Sequence, residues 1–305
     1  MKISVVIETW NLGDAVLAPL SQLLSALAPQ IAAADAEVIV TGSSPPTLTA
    51  LEATLGRPIT WLELPRDAGY YEHKNLGFDA TTGDIVAFID GDCAPSPTWL
   101  EALTRPIVCG ASVVAGATSY PGPLAAIANQ IDFPYFDRTR ARRRSIDDAP
   151  EAVRNFFANN VAFARAVFAA RRYPTIEPMF HGQCQVLGLQ LLAEDIAIQF
   201  APAARVTHAW PESVREFFEV RLLRGADTVS LLPYVLTSYA PRASRAVTRL
   251  GAIPTLAIFG LRAIASSWAA VRRGPLVRGL GLVACVTVLD SFGAAAAPAV
   301  YRMIG

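Results

Sequence analysis

Apolar positions along the first half of the chain alternate between short continuous runs and stretches of helical period. Ile3 to Ile7 is a β-branched run that reads as a buried strand, ending in Glu8-Thr9-Trp10-Asn11. From Gly13-Asp14, with Asp14 as cap, Leu17, Leu20, Leu24 and Leu27 recur at helical spacing, and Pro29 is expected to end or kink that helix. Glu37 to Val40 predicts a second strand, closed by Thr41-Gly42-Ser43-Ser44-Pro45-Pro46. Leu48 to Leu55 predicts a weaker helix, Ile59 to Leu64 a third strand, Tyr71 to Thr81 a helix and Ile85 to Asp90 a fourth strand. Pro97 opens a helix carrying Trp99, Leu100 and Leu103, and Ser112 to Ala115 predicts a fifth strand. Strands alternating with helices of this size indicate a mostly parallel sheet with helices on both faces.

The middle of the chain is less regular. Tyr120-Pro121-Gly122-Pro123 reads as a turn, and Arg138, Arg140, Arg142, Arg143 and Arg144 form a basic run ahead of Asp147 and Asp148. That run is either a solvated loop or a contact for phosphate groups on an acceptor or membrane surface. Phe156 to Ala170 reads as a strand or turn leading into a helix, with Asn159 and Asn160 at its start. Val186 to Leu192 predicts an apolar helix, Ile196 to Phe200 a strand closed by Ala201-Pro202, and Arg205 to His208 another short strand.

The stretch Gly83-Asp84-Ile85-Val86-Ala87-Phe88-Ile89-Asp90-Gly91-Asp92 carries the densest chemical signal. An apolar run bounded by Gly-Asp on each side predicts a strand buried on both faces, and ligands of open α/β sheets bind beyond the carboxyl ends of strands. Two carboxylates around a glycine at such an end suit a hard divalent cation, which takes oxygen ligands and bridges to phosphates. The plainer alternative is an Asp-Gly turn.

Composition adds little charge and much apolar surface. The 26 Lys and Arg balance the 26 Asp and Glu, which gives no support to a nucleic-acid partner. At 52% hydrophobic and 17% charged, the chain is apolar enough to suggest membrane contact. Cys93, Cys109, Cys184 and Cys285 are scattered, without CxxC pairs, as in a reducing compartment. Glu8 interrupts the first apolar run almost at once, which predicts no signal peptide.

Four segments together resemble the family 2 glycosyltransferases, which have the GT-A fold, a Rossmann-like α/β sheet. Ser4-Val5-Val6-Ile7 with Thr9 and Asn11 is similar to the family's opening strand and turn. Lys74-Asn75-Leu76-Gly77, Ala80, Gly83 and Asp84 followed by Asp90-Gly91-Asp92 resemble its helix leading into the DxD strand. Asn160 with Phe163 and Arg165 resembles its Asn-X-Ala-X-Arg-Arg element, and Pro202 to His208 its Pro-X-Ala-X-Val-X-His strand. The resemblance covers about the first two-thirds of the chain. It implies a nucleotide-sugar donor, UDP- or GDP-linked, a divalent metal (Mn or Mg) and transfer of one sugar to an acceptor hydroxyl. Asp90 would meet the ribose and the metal-bound pyrophosphate, Asp92 would be a metal ligand, and His208 would complete the metal site or serve as a structural strand-end histidine. Thr9 and Lys74 would lie near the nucleotide, and Asn160 beside the donor sugar.

Three departures stand out. Glu8 replaces the family's proline, and Thr41 replaces the aspartate that contacts the nucleotide base. Where inverting members carry a Glu-Asp pair with the general base, this chain has Gln183-Cys184, and Glu194-Asp195 reads as a solvated helix terminus. His181 is the candidate catalytic base, since imidazole titrates near neutrality. A retaining reaction or a loss of catalysis would also accommodate the replacement.

After His208, Ser213 to Gly225 reads as an amphipathic helix with Arg221 and Arg224 on one face, within reach of a diphosphate or solvated. Gly251 to Ala270 is apolar except for Arg262, and Gly279 to Val300 except for Asp290. Each is close to the length that crosses a bilayer. Arg242, Arg245 and Arg249 precede the first run, and Arg272, Arg273 and Arg278 join the two, so a re-entrant or interfacial hairpin keeps both basic segments on the cytoplasmic side. A buried helical pair packed on the catalytic domain is the other reading. Arg262 and Asp290 each stand 11 residues into their runs (262 − 251 and 290 − 279) and are expected to face each other. The expected organisation is a catalytic domain over residues 1–240 and a hydrophobic helical region over 241–305. The expected function is a metal-dependent glycosyltransferase acting on a lipid-linked or polysaccharide acceptor at the cytoplasmic membrane face. A nucleotidyltransferase and a catalytically silent sugar-nucleotide-binding module are the alternatives.

Overall fold

The computed structural model describes residues 1–13, 15–120, 152–208, 213–273 and 276–304. The Asp14 cap, the Pro121–Pro123 turn, the basic run with Asp147 and Asp148, and the side chains of Arg272, Arg273 and Arg278 lie outside the described residues. The chain divides into two compact units. The first holds all nine described strands; the second takes in Ile176–Leu189 and the helices from Val214 onward.

The strands are β1 (Ile3–Glu8), β2 (Glu37–Gly42), β3 (Thr60–Glu63), β4 (Ile85–Asp90), β5 (Cys93–Pro95), β6 (Val113–Ser119), β7 (Ala152–Val153), β8 (Asn160–Ala164) and β9 (Ile198–His208). They form one sheet in the order β3-β2-β1-β4-β8-β6-β9-β5, with β7 on β9. Parallel pairing holds from β3 to β4, joined by the helices α1 (Leu17–Ala34), α2 (Leu48–Leu55) and α3 (Tyr70–Asp79). Beyond β4 the sheet is mixed: β8 runs antiparallel to β4 and β6, and β9 runs parallel to β6 but antiparallel to β5 and β7. Only Gly91-Asp92 separates β4 from β5, too short for a parallel crossover, so β5 leaves β4 and pairs with β9 at the far edge.

Alternation along the strands sorts the core into two faces. Val5, Ile7, Val38, Val40, Ile85, Ala87 and Ile89 pack against α1, α2 and α4 (Trp99–Val108). On the opposite face, Phe88 and Phe163 meet Phe78 of α3 and Phe168 of α5 (Arg165–Ala170) in a ring cluster that includes Tyr173. Gly77 lets α3 settle onto β1: a Cβ there would lie 2.6 Å from Val6 Cγ1. Pro29 neither ends α1 nor removes its support. The helix continues to Ala34, with Leu20, Leu23, Leu24, Leu27 and Ile31 buried, and the Gln30 amide donates to Ala26 and Ser96 carbonyls. The two strands expected on either side of Pro202 are one strand, β9. Its ladder shifts opposite Gly116/Ala117, where Pro202 has no N–H to give.

The helical elements from α6 (Gln183–Ala193) onward are α7 (Val214–Tyr239), α8 (Pro241–Thr248), α9 (Ile253–Arg273), α10 (Leu276–Ala295) and α11 (Ala297–Ile304). The helix expected to stop at Gly225 runs on to Tyr239 because Gly225 is a crossing point and not a cap. A Cβ there would lie 2.1 Å from the Asp290 carbonyl, and one on Gly293 2.1 Å from the Leu222 carbonyl. This contact groups α7 with the C-terminal helices, so the helical unit begins well before residue 240. Arg262 and Asp290 meet, as their offsets predict. Arg221 of α7, also buried, joins the same carboxylate through Nε at 2.7 Å and through Nη2, so it is not free to reach a diphosphate. Asp290 thus ties α7, α9 and α10 together.

Among the described residues, α1 alone is long and apolar enough by itself to cross a membrane, but its inner face is part of the sheet core. Residues Gly279–Ala295 and Ala297–Ile304 pass the same test jointly, yet are bent by 95° at their junction. Along α9, the apolar residues Ile253, Leu261, Ile264 and Trp268 are exposed.

Asp290→Leu leaves two guanidinium groups without their shared anion and is expected to lower stability by about 3–5 kcal/mol. Arg221→Leu combined with Asp290→Leu is expected to lose less than the sum of the single changes, as is Arg262→Leu with Asp290→Leu. Denaturant unfolding of the two double-mutant cycles measures both couplings.

Candidate functional site

The site is built on the end of β4. Val86 to Ile89 are sealed in the sheet, and Asp90 closes the strand with its carboxylate still buried. Lys74 Nζ donates to Asp90 Oδ1 at 2.5 Å, and the Tyr70 hydroxyl lies 3.0 and 3.1 Å from the two Asp90 oxygens. Tyr70 and Lys74 are one helical turn apart on α3 and share a face, with the ammonium 4.6 Å from the ring centroid. Burial first, and then the Asp90 charge, push the Tyr70 phenol well above its ordinary range, so it stays a donor.

Glu8 ends β1 directly beside Asp90 in the ladder. Its Oε2 accepts the Trp10 N–H at 2.8 Å, while buried Oε1 has no hydrogen-bond partner among the described residues. Burial, with Asp90 next, holds its carboxyl well above the usual carboxylate range against the opposing pull of Lys74.

Beyond Gly91, the β5–β9 ladder places Cys93 opposite His208. His208 Nε2 lies 3.0 Å from Asp92 Oδ1 and 4.0 Å from Asp90 Oδ2. One ligand atom each from Asp90, Asp92, Cys93 and His208 fits within 4.8 Å of the others, close enough to share one ion. Burial lowers the His208 proton affinity, but the Asp92 hydrogen bond and the two carboxylate charges outweigh it, and the net shift is upward. Burial, followed by Asp90 and Asp92, keeps Cys93 as a thiol. The donor set is therefore two carboxylates and an imidazole, with a protonated sulfur alongside. It fits a hard or borderline divalent cation.

The other residues singled out from sequence are placed as follows. Thr9 lies where β1 and β2 end; its backbone N–H and hydroxyl both donate to the Thr41 carbonyl, at 3.1 and 2.9 Å. Thr41 is fully buried. Asn160 stands opposite Ile89 on β8, one position from Asp90, but its amide is engaged with protein: Nδ2 donates to Ala204 and Oδ1 accepts from the Trp99 indole. Arg165 donates to Gly83 and Thr81 behind β4. Asp90, Asp92, Lys74 and His208 are brought together. Tyr70 and Cys93, not singled out as site residues from the sequence, join them. Tyr70's spacing from Lys74 and Cys93's adjacency to Asp92 were the available signals.

His181 belongs to the helical unit, just before α6. Its ring is 40% exposed, with Nδ1 3.5 Å from Asp227 Oδ2 on α7. Gln183 and Cys184, at the position of the missing carboxylates, are both buried, and Gln183 Nε2 donates to the Met179 carbonyl. Glu194 and Asp195 follow α6 as expected: Glu194 pairs with Arg171, and Asp195 takes a left-handed φ of 57° in the turn.

The Glu8 environment has a pH signature. The folded chain keeps a proton on Glu8 that the unfolded chain loses, so stability falls as pH rises from the ordinary carboxylate range toward the raised value. Glu8→Gln removes this titration. Its stability is expected to decline less steeply with pH than the parent's, with the gap growing in the variant's favour, as denaturant unfolding over a pH series measures.

Known proteins share this architecture. A glycosyltransferase from Haloferax volcanii, named glucosyl-dolichyl phosphate glucuronosyltransferase, is 31% identical over 96 residues, which is 31% of each chain. Glycosyltransferase AglE of the same organism is 38% identical over 56 residues, 18% of each. The aligned stretch thus spans less than a third of either relative. In fold, the mannosyltransferase PcManGT from Pyrobaculum calidifontis, solved with GDP-Man and Mn2+, superimposes with a TM-score of 0.62 at 17% identity, covering 97% of this chain and 86% of that one. Glucosyl-3-phosphoglycerate synthase from Mycobacterium tuberculosis, solved with Mn2+, UDP and glucosyl-3-phosphoglycerate, gives a TM-score of 0.52 at 21% identity, over 76% and 79%. The sheet is therefore the GT-A fold. The model of glycosyl transferase family 2 matches residues 4–168, from β1 into α5 and more than half of the 305 residues, and the chain belongs to that family.

Proposed function

We propose that this chain moves a sugar from a UDP- or GDP-linked donor to a lipid-linked or polysaccharide acceptor, using a divalent metal, at the cytoplasmic face of a membrane. The observation that carries the reading is the convergence of Asp90, Asp92 and His208 at the carboxyl end of β4. Asp92 and His208 would hold Mn2+ or Mg2+, and Asp90, braced by Lys74 and Tyr70, would serve the ribose–diphosphate side. Thr9 lies at the same end of the sheet, and Asn160, whose amide ties β8 to Ala204 of β9 and Trp99 of α4, would lie beside the donor sugar. When bound, the metal neutralises charge on the leaving diphosphate. The Mn2+ and nucleotide or nucleotide-sugar complexes of the two structural neighbours support this donor class.

His181 takes the role of general base, on the strength of its exposed imidazole beside the Asp227 carboxylate. A lipid-linked acceptor is favoured by the dolichyl phosphate in the name of the Haloferax relative. Membrane attachment is favoured by the order of surfaces along the chain. Arg242, Arg245 and Arg249 are exposed on and just after α8, and the exposed apolar face of α9 follows. A basic segment leading into an apolar face suits anionic headgroups and the acyl boundary beneath them. The Gln183-Cys184 replacement favours one competing reading, a sugar-nucleotide-binding module without catalysis.

Asp92→Asn is expected to remove the Mn2+-dependent rise in melting temperature given by UDP- or GDP-sugars while leaving the unliganded melting point in place. An unchanged response would overturn the metal assignment. His181→Ala is expected to slow donor turnover by about a hundredfold or more, and unaltered turnover would remove it as base. Leu261→Asp with Ile264→Asp is expected to abolish co-flotation with phosphatidylserine vesicles without changing the unfolding midpoint.

A further inference from the structure

We infer that Asp227 and Tyr301 are positioning residues for His181, forming with it a hydrogen-bonded Tyr–Asp–His relay inside the helical unit. This inference rests on the reading of His181 as the base. The three residues come from the segment before α6, from the middle of α7 and from α11, the last helix. Asp227 is buried, and among the described residues three donors reach its carboxylate. Oδ1 accepts the Phe180 N–H at 2.9 Å and the Tyr301 hydroxyl at 3.0 Å. Oδ2 accepts the His181 N–H at 3.0 Å and faces His181 Nδ1 at 3.5 Å. Two backbone donors and a phenol thus converge on one buried carboxylate and fix its orientation.

The same oxygen that holds the His181 backbone faces its ring. Of the two ring nitrogens, Nδ1 is the one against the carboxylate, and the ring remains 40% exposed. A small ring rotation closes the Nδ1–H···Oδ2 bond, as catalytic hydrogen bonds tighten from their resting length. With the proton on Nδ1, the Nε2 lone pair is the one that can accept a proton, and the anion stabilises the imidazolium that results. Tyr301 keeps the carboxylate in place. Burial first, and then Asp227, push its phenol above the ordinary range, so it remains protonated and donates. Its oxygen lies 3.2 Å from Ser230 Oγ, and its ring stacks on Phe180 with centroids 5.8 Å apart.

In the transfer step, the acceptor hydroxyl gives its proton to Nε2 as its oxygen bonds to the sugar's anomeric carbon. The bond from that carbon to the diphosphate breaks, its electron pair leaving with the phosphate oxygen, and the imidazolium later returns the proton to solvent.

The test is nitrogen NMR of the full chain labelled at its 3 histidines, with the His181 signals assigned by their loss in His181→Ala. The parent is expected to show the Nδ1–H tautomer. Asp227→Asn, whose amide can donate to Nδ1, is expected to switch the ring to Nε2–H. It is also expected to slow Mn2+-dependent hydrolysis of UDP-glucose or GDP-mannose, whichever the parent turns over, by about tenfold or more at unchanged donor KM. Tyr301→Phe, which keeps the ring stack, gives a partial tautomer shift and a smaller loss, and is the deciding variant if Asp227→Asn does not fold. A parent already in the Nε2–H form, or an unchanged tautomer in the deciding variant, would overturn the relay. Full activity in His181→Ala would instead overturn the assignment of His181 as base and leave the tautomer result to judge the relay alone.

Discussion

The buried pair of Lys74 and Asp90 is the constraint around which the strand-bearing unit is arranged. Neither charge reaches solvent, so each depends on the other and on donors supplied by the elements nearby. A buried pair of this kind adds little net stability, but removing one partner leaves an uncompensated charge. α3 must therefore lie against β1 closely enough for Lys74 to meet the end of β4, which is where Gly77 permits contact with Val6. Tyr70, one turn earlier, caps the same carboxylate. Glu8 occupies the next strand end, where burial and the Asp90 charge raise its proton affinity well above that of an ordinary carboxylate.

The helical unit solves a similar problem with the opposite balance. One aspartate, Asp290, serves two arginines from two other helices, and close Gly225 and Gly293 contacts bring α7 and α10 together around it. The arrangement explains why a helix expected to end at a glycine runs for about four more turns. In both units a single shared carboxylate fixes the register between helices or between helix and sheet.

Sequence periodicity sufficed for β1 to β4 and the helices between them, because β1, β2 and β4 are buried on both faces, the edge strand β3 is bounded by the buried Ile59 and Leu64, and each helix has an apolar side. It did not reveal where β5 would pair, since three residues after a two-residue turn carry no periodicity, nor that the segments flanking Pro202 form one bulged strand. The Asp90-Gly91-Asp92 spacing and the matched offsets of Arg262 and Asp290 were legible because each is a local departure from an apolar run. Asp227, Tyr301 and Arg221 were not, because their partners lie 46, 74 and 69 residues away along the chain. Nothing in a linear pattern links a helix-interior aspartate to a histidine in a preceding loop.

The β5–β9 ladder has a consequence for how the chain comes off the ribosome. Asp92 follows β4 immediately, whereas His208 lies at the end of β9, beyond the stretch that defines the family. A nascent chain that has emerged only as far as α5 carries the acidic end of β4 but neither the strand that pairs with β5 nor the imidazole that faces Asp92. The edge of the sheet and the cation site are completed by the same late event, the docking of β9. Assembly of the metal-binding group thus coincides with completion of the sheet, and a chain released early would present the Asp90 and Asp92 carboxylates without the His208 imidazole.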